Sequence, residues 1–424
     1  MKEDFLHYIW RYLKFDRTNL KTTDGQSLEI FHNGMYLKES GPDFFNAKIQ
    51  IGNEVWAGNV EIHVNASDWY IHKHETDMAY QNVILHVVWS NDSIVVHQDG
   101  SVVPTLELKD KVSKELISSY TNALDQRQLL PCQSQWDSID VEKIHWFQEE
   151  LLLQKLHDKS LVIEQALQES NNYWEEVFCR LLFRSFGTKV NGESFERIFR
   201  SIPYAVIQKE RAEVSTLEAL LYGQSNLLPE EVSDAYTKSL FENFQFIKHK
   251  YQLPSSDVRL EYFKLRPDNF PSIRISQYAG LLVQHQSLFF ELLHVQTRKG
   301  FSRFFQIQAN EYWDEHYVFG KSTTKRYPKK LSTSFIDLLL INTILPMHYT
   351  YFKHQDPEAI ERVISIYKEI SFENNSISKL YDAKYFRKEN AGNSQSLVYL
   401  NKEYCQKKKC LQCTIGTTIL QRYD

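Results

Sequence analysis

Glycine and proline are scarce in this chain of 424 residues, at 14 and 11. Their scarcity argues against long disordered linkers and repeat-rich β architectures. Cysteine is scarcer still. Five residues, an odd number in so large a chain, fit a reducing, cytoplasmic setting better than a disulfide framework. No long apolar run is present. The most apolar stretch, FIDLLLINTILP at 335–346, is too short and too polar to span a bilayer. The N-terminal MKEDFLHYIWRYLKF scatters charge through itself and has no signal-peptide core. An excess of positive charge is missing too. A net charge of −5 is not the footprint of a protein that coats DNA, although it is compatible with a local basic groove. There is no glycine-rich phosphate loop, no G-x-S-x-G, no dinucleotide fingerprint and no internal repeat.

What is present is a large apolar and aromatic content. Hydrophobic residues make up 42%, with 24 Tyr, 26 Phe and 8 Trp, enough to build a core in two or three domains. Phe5, Ile9, Tyr12 and Leu13 recur at helical spacing and predict an amphipathic helix over 3–14. LEIFHNG (28–34), DFFNAKIQI (43–51) and EVWAGNVEIHV (54–64) read as strands, with Gly52-Asn53 as a hairpin loop. A polar-aromatic stretch at 67–81 turns helical near its end. VILHVVW (83–89) is a strand that SIVVHQ (93–98) is expected to pair with, and TLELK (105–109) adds an edge. The sum is an α+β domain at 1–125 with a mostly antiparallel sheet. Residues 126–424 follow as a predominantly helical region with a cysteine-containing tail. Its helices are expected at 141–167, 173–186, 194–200, 214–222, 232–249, 275–295, 333–344, 357–371 and 394–404.

The chemistry concentrates at 41–63, GPDFFNAKIQIGNEVWAGNVEIH. Glu61 and His63 lie two apart on one strand and share a face, while Val60, Ile62 and Val64 face the other way. Asp43 on the hairpin partner would complete a carboxylate–imidazole site for Mg²⁺ or Mn²⁺. Such an ion polarises a phosphodiester and acidifies water, and His63 is suited to orient or deprotonate that water. Register decides the matter. A two-residue loop pairs Ile51 with Glu54 and sets Asp43 opposite Ile62, on the wrong face. A β-bulge or a three-residue loop would set it opposite His63.

The order helix, three strands, helix, strand, with Pro42-Asp43 followed by Glu61-Ile62-His63, resembles the PD-(D/E)XK nuclease superfamily. That resemblance implies a restriction-endonuclease-like αβββαβ sheet and a metal-dependent nuclease acting on DNA or RNA. Asp43 and Glu61 would be the metal ligands. His63 stands where lysine is usual, a departure that implies altered chemistry or a non-catalytic nucleic-acid-binding scaffold. The segments SGPDFFNAKI, GNVEIHVNASDW, HETDMAYQNVILHVVW, LRPDNFPSIRISQ and YCQKKKCLQCTIG make nearly the whole chain similar to a bacterial family catalogued as domain of unknown function 2851. Membership there implies no activity.

Three further groups are candidates. His72, His74, Asp77 and His86 follow the first site, and His63, His72, His74 and Asp77 have the chemistry of a Zn²⁺ set. They would suit a zinc-dependent hydrolase, or a supporting shell around the first metal. Cys405, Cys410 and Cys413 form C-x4-C-x2-C, a spacing fit for zinc or an iron–sulfur cluster, with Cys132 or a histidine as the fourth ligand. Lys407, Lys408 and Lys409 interleave with them and are suited to touch phosphates or to be solvated. In LRPDNFPSIR, Arg266 and Arg274 are suited to contact a substrate phosphate, or Arg274 to pair with a carboxylate.

Overall fold

The computed structural model describes residues 2–36, 41–123, 130–229, 231 and 234–422. Ser40, residues 232–233 of one expected helix, and the expected boundary at 125/126 lie outside the described residues. The chain forms two compact units. The first holds residues 1–147, 380–386 and 398–424, and the second 148–379 and 387–397.

The first unit opens with α1 (Glu3–Arg11), whose acidic first turn and basic last residue suit the helix dipole. Phe5, Leu6, Tyr8, Ile9 and Trp10 are buried along it. Asn33 stops it, donating to the carbonyls of Trp10 and Arg11 at 2.9 and 3.0 Å, while Trp10 Nε1 donates to the Asn33 carbonyl. Six strands follow: β1 (Leu28–His32), β2 (Met35–Tyr36), β3 (Phe44–Ile51), β4 (Glu54–Asn65), β5 (Val83–Ser90) and β6 (Thr105–Glu107). They form one sheet in the order β1-β3-β4-β5-β6, with β2 also on β3. The sheet is mixed: β1/β3, β2/β3 and β3/β4 are antiparallel, as expected of most of the sheet, while β4/β5 and β5/β6 are parallel. The short helix α2 (Asp68–Ile71) and two 3₁₀ turns carry the chain from β4 back to the start of β5.

The β3–β4 hairpin has the expected two-residue loop. Ile51 pairs with Glu54, and Gly52 takes φ +61°, as the first loop residue of a tight hairpin demands. The register then shifts. Ala47 pairs with Gly58 but Phe44 pairs with Val60, so β3 holds one extra residue. Asn46 absorbs it at φ +56°, a left-handed conformation that asparagine tolerates, and its N–H is held by Asn59 Oδ1 at 3.3 Å. Because the extra residue lies in β3, Asp43 arrives beside Glu61. Neither expected neighbour is met: Asp43 falls one position short of Ile62 and two short of His63.

Residues 93–98 are not a strand on β5. They contribute one bridge, Val96 to Val102. The segment is drawn off the sheet by Asp92, which accepts from the Ser67 N–H and hydroxyl at 2.8 and 2.7 Å. It then covers Trp69, whose Nε1 donates to the Val96 carbonyl at 3.2 Å. β6 takes the vacated edge, His86 pairing with Thr105. Both sheet faces are therefore buried. Val60, Ile62, Leu85 and Val87 pack with α1, and Ala66, Trp69, Tyr80, Val83, Val88, Val95 and Val103 form a second, smaller core on the opposite face.

The second unit is helical around one core that runs from Leu152 to Ala391. The expected helix at 275–295 is two, Pro271–Gln284 and Leu288–Leu293. They are separated where the Glu291 carboxylate folds back on His285 and the Ser287 N–H. The helix expected at 333–344 passes through a π-helical turn, Leu340–Ile344, and continues to Phe352.

Candidate metal centre

The polar face of β4 closes on a cluster of four histidines and a carboxylate. Glu61 and His63 sit on β4 with 5% and 1% exposure. His86 is brought beside them by the parallel pairing of β5, where it is the partner of Glu61. His72 follows α2, and His74 opens the next 3₁₀ turn, reached through Lys73 at φ +63°. Trp69 and Tyr80 wall the cluster, Tyr80 stacking on the His74 ring at 3.7 Å.

The contacts are short. His63 Nε2 is 3.0 Å from His72 Nδ1 and 3.6 Å from Glu61 Oε1. His74 Nε2 is 3.3 Å from the same Glu61 oxygen. Ligand nitrogens of His63, His72 and His74 all lie within 4.8 Å of one another. A tetrahedral Zn²⁺ with Zn–N near 2.05 Å sets its ligand atoms ~3.3 Å apart, so these separations are of the right size. His63 Nδ1 contacts His86 Nε2 at 2.8 Å, the kind of contact that fixes the tautomer of a ligating ring. His74 Nε2 is buried with no hydrogen-bond partner among the described residues. Two ring nitrogens at 3.0 Å also need a proton or a cation between them. The donor set therefore fits a cation, and its nitrogen-rich character suits Zn²⁺ better than Mg²⁺.

Electrostatics agree. Burial, then the neighbouring imidazoles, push His63 down to about 2, and burial pushes His86 down to about 3. Burial also lowers His74. Neutral imidazoles are what a metal binds. Burial first, then the charge of Asp43, push Glu61 up to about 9, so the carboxyl holds a proton at neutral pH where a cation would displace it.

Asp43 stands beside this group with its carboxylate turned elsewhere. Its N–H donates to Glu61 Oε2 at 3.1 Å, and its Oδ2 accepts from the Ile62 N–H at 3.0 Å. His7 of α1 reaches the same Oδ2 through Nε2 at 3.1 Å, and Tyr36 touches its Nδ1 at 3.4 Å. Burial is the largest influence on His7 and opposes its charging, but the bond to Asp43 and the charges of Asp43, Glu3 and Asp4 together raise the pKa. His7 was not found from the sequence. It sits one residue beyond Leu6 on a helix read for its apolar face, and only the tertiary fold brings it to Asp43. Asp77 is exposed, and its carboxylate caps the next turn by accepting from the Ala79 N–H at 2.9 Å.

His7 and Tyr36 also line a pocket of ≈ 330 Å³ whose rim carries Lys2, Arg11, Lys407, Lys408 and Lys409. The cysteines gather in the same unit. Cys132, Cys405, Cys410 and Cys413 line one small cavity. The two arginines lie in the other unit. Arg266 is exposed. Arg274 is 3% exposed, its guanidinium bonded to Gln277 and Asn269 and lying 3.4 Å over the Phe335 ring.

A pH prediction follows from Glu61 and His63. In metal-free protein Glu61 binds its proton more tightly folded than unfolded. Its contribution to stability is complete below about 4.5 and is lost as pH rises to about 9. His63 works in the opposite sense, its contribution being complete above 6.5 and lost as pH falls toward about 2. The melting temperature of metal-free protein is thus expected to fall between pH 6.5 and 9. Zn²⁺ or Glu61→Gln should flatten that fall, as thermal melts across the range would show.

Comparison with known proteins gives one match. The family profile described as Protein of unknown function (DUF2851) covers residues 3–376. No curated protein and no solved structure matches.

Proposed function

The chain belongs to the DUF2851 family, and we propose that this member is a metal-dependent hydrolase of phosphodiesters, with nucleic acid as the substrate class. The observation that carries the reading is the convergence of His63, His72, His74 and Glu61 at metal-ligand spacing. The nitrogen-rich set supports Zn²⁺, with Mn²⁺ next and Mg²⁺ last. The ion would polarise the phosphate and lower the pKa of water. His72, the exposed member, marks the solvent side. His7, whose hold on a proton is strengthened beside Asp43 and which lines the basic pocket, is placed to protonate the leaving oxygen. Asp43 would then orient His7 rather than ligate the ion. The restriction-endonuclease-like sheet remains part of this proposal. It is supported by the element order helix, strands, short helix, strand and by the placement of Asp43, immediately before β3, beside Glu61 on β4.

The substrate class rests on the lysine rim. Replacing Lys407, Lys408 and Lys409 together by alanine is expected to raise KM for a single-stranded oligonucleotide with little change in kcat. The slope of log affinity against log salt should fall by about 2, at roughly 0.7 per phosphate contact. Unchanged KM and slope would argue for a different substrate. Cleavage assays with Zn²⁺, Mn²⁺ and Mg²⁺ comparing wild type with Glu61→Ala test the hydrolase itself.

One observation favours a second reading, a non-catalytic scaffold. Both nitrogens of His63 already have imidazole partners, so the cluster can be satisfied as a proton-bridged polar core. Equal behaviour of wild type and Glu61→Ala in every metal would support it.

A further inference from the structure

The four cysteines carry an inference independent of the histidine centre. Cys132 lies in the link that precedes the helix Val141–Glu169, while Cys405, Cys410 and Cys413 lie in the last turns of the chain. The fold of the first unit nonetheless brings all four to the wall of one cavity of ≈ 30 Å³, with Tyr404, Gly416, Ile419 and Leu420 among the other lining residues. All four are thiols rather than disulfides. The close approach is built in. A Cβ on Gly416 would fall 2.2 Å from the Cys410 carbonyl, so only glycine lets the final helix, Thr414–Leu420, pass over the Cys410 turn. Lys408 takes φ +53° within the preceding turn, and Tyr381 meets Cys405 Sγ at 3.6 Å. Each of the other three thiols lies within electrostatic range of Cys132.

We propose that these four cysteines hold an iron–sulfur cluster. Two observations favour a cluster over one zinc ion. A tetrahedral zinc site with Zn–S near 2.3 Å draws its sulfurs to ~3.8 Å and leaves no void between them. Among the described residues the three histidines form the group of ligand atoms within 4.8 Å of one another, and no three of the sulfurs are that close. The four cysteines instead line a space of ≈ 30 Å³, larger than the ~10–15 Å³ that one water requires. Cys₄ sets hold both common cluster types. On binding, four S–H protons leave to solvent and four Fe–S bonds replace them. Burial holds these thiols protonated without metal, Cys410 at about 11 and Cys405 at about 12. The cluster would pin the segment around Cys132 to the C-terminal tail.

The test is anaerobic reconstitution of the full chain with sulfide and ferric iron in the presence of a thiol reductant that supplies the ferrous share, followed by iron and acid-labile sulfide analysis. The expected result is a coloured protein with iron and labile sulfide in equal amounts, and loss of the labile sulfide in both Cys405→Ser and Cys410→Ser. Alkylation with iodoacetamide guards against variants that fail to fold. In reconstituted wild type Cys132, Cys405, Cys410 and Cys413 should be protected, and become reactive once the cluster is chelated, while Cys179 does not change. Zinc bound through sulfur, without labile sulfide and lost in Cys405→Ser, would overturn the proposal. So would labile sulfide that survives both substitutions, or four thiols equally reactive before and after chelation.

Discussion

Replacing His74 by alanine is expected to lower zinc affinity by at least about 100-fold and metal-dependent phosphodiester cleavage by about 10³-fold. The first figure is a floor, since loss of a residue that merely supports a ligand already costs 10–100-fold. The second follows from losing about 4 kcal/mol of transition-state stabilisation, at 1.36 kcal/mol per tenfold in rate. His74 is the sharpest choice because its Nε2 is buried, lacks a hydrogen-bond partner among the described residues and faces Glu61. It has no evident role that a metal would not explain, apart from its stacking on Tyr80. His74→Gln keeps much of that packing and removes the imidazole, so it should lose metal while keeping most of the stability. Zinc titration of both variants, with thermal melts alongside, checks this. Wild-type affinity in His74→Gln would remove His74 from the centre.

The second large effect is at Trp69. Trp69→Ala is expected to destabilise the protein by about 3–5 kcal/mol, the usual cost of deleting a buried tryptophan. Trp69 is fully buried, and its indole is the wall shared by His74 and His86, each 5.3 Å away between ring centres. Its Nε1 also anchors the segment after β5 through the Val96 carbonyl. Loss of the indole should loosen both the second core and the histidine cage, so metal affinity should fall together with stability. Denaturant melts and zinc titration on the same preparation test the pairing. A destabilised variant that binds zinc as tightly as wild type would show that the cage is positioned by the sheet alone.

Much of the sheet unit was legible. The strand-like runs 43–51 and 54–64 marked β3 and β4, the β-branched run 83–89 marked β5, Gly52-Asn53 marked the hairpin, and Glu61-x-His63 marked one polar face. The bulge at Asn46 was not legible, because asparagine at a left-handed position leaves no pattern in sequence, and it is the bulge that decides which residue Asp43 meets. The segment 93–98 misled because its β-branched run Ile94-Val95-Val96 suits a strand. Its tie to Ser67 and cover over Trp69 are tertiary contacts that outweigh strand propensity. His7 escaped notice for a related reason, since nothing local connects α1 to Asp43. The three C-terminal cysteines gave a spacing signal that left Cys132 or a histidine as the fourth member, and it is the fold that brings Cys132 to their cavity.

The central claim is that His63, His72, His74 and Glu61 bind a metal. X-ray absorption on the zinc-loaded protein tests it most directly. The account predicts nitrogen and oxygen ligands at about 2.0–2.1 Å with three imidazoles per ion, falling to two or to no bound zinc in His74→Gln. A first shell of sulfur at about 2.3 Å, or a chain that binds no zinc, would contradict it.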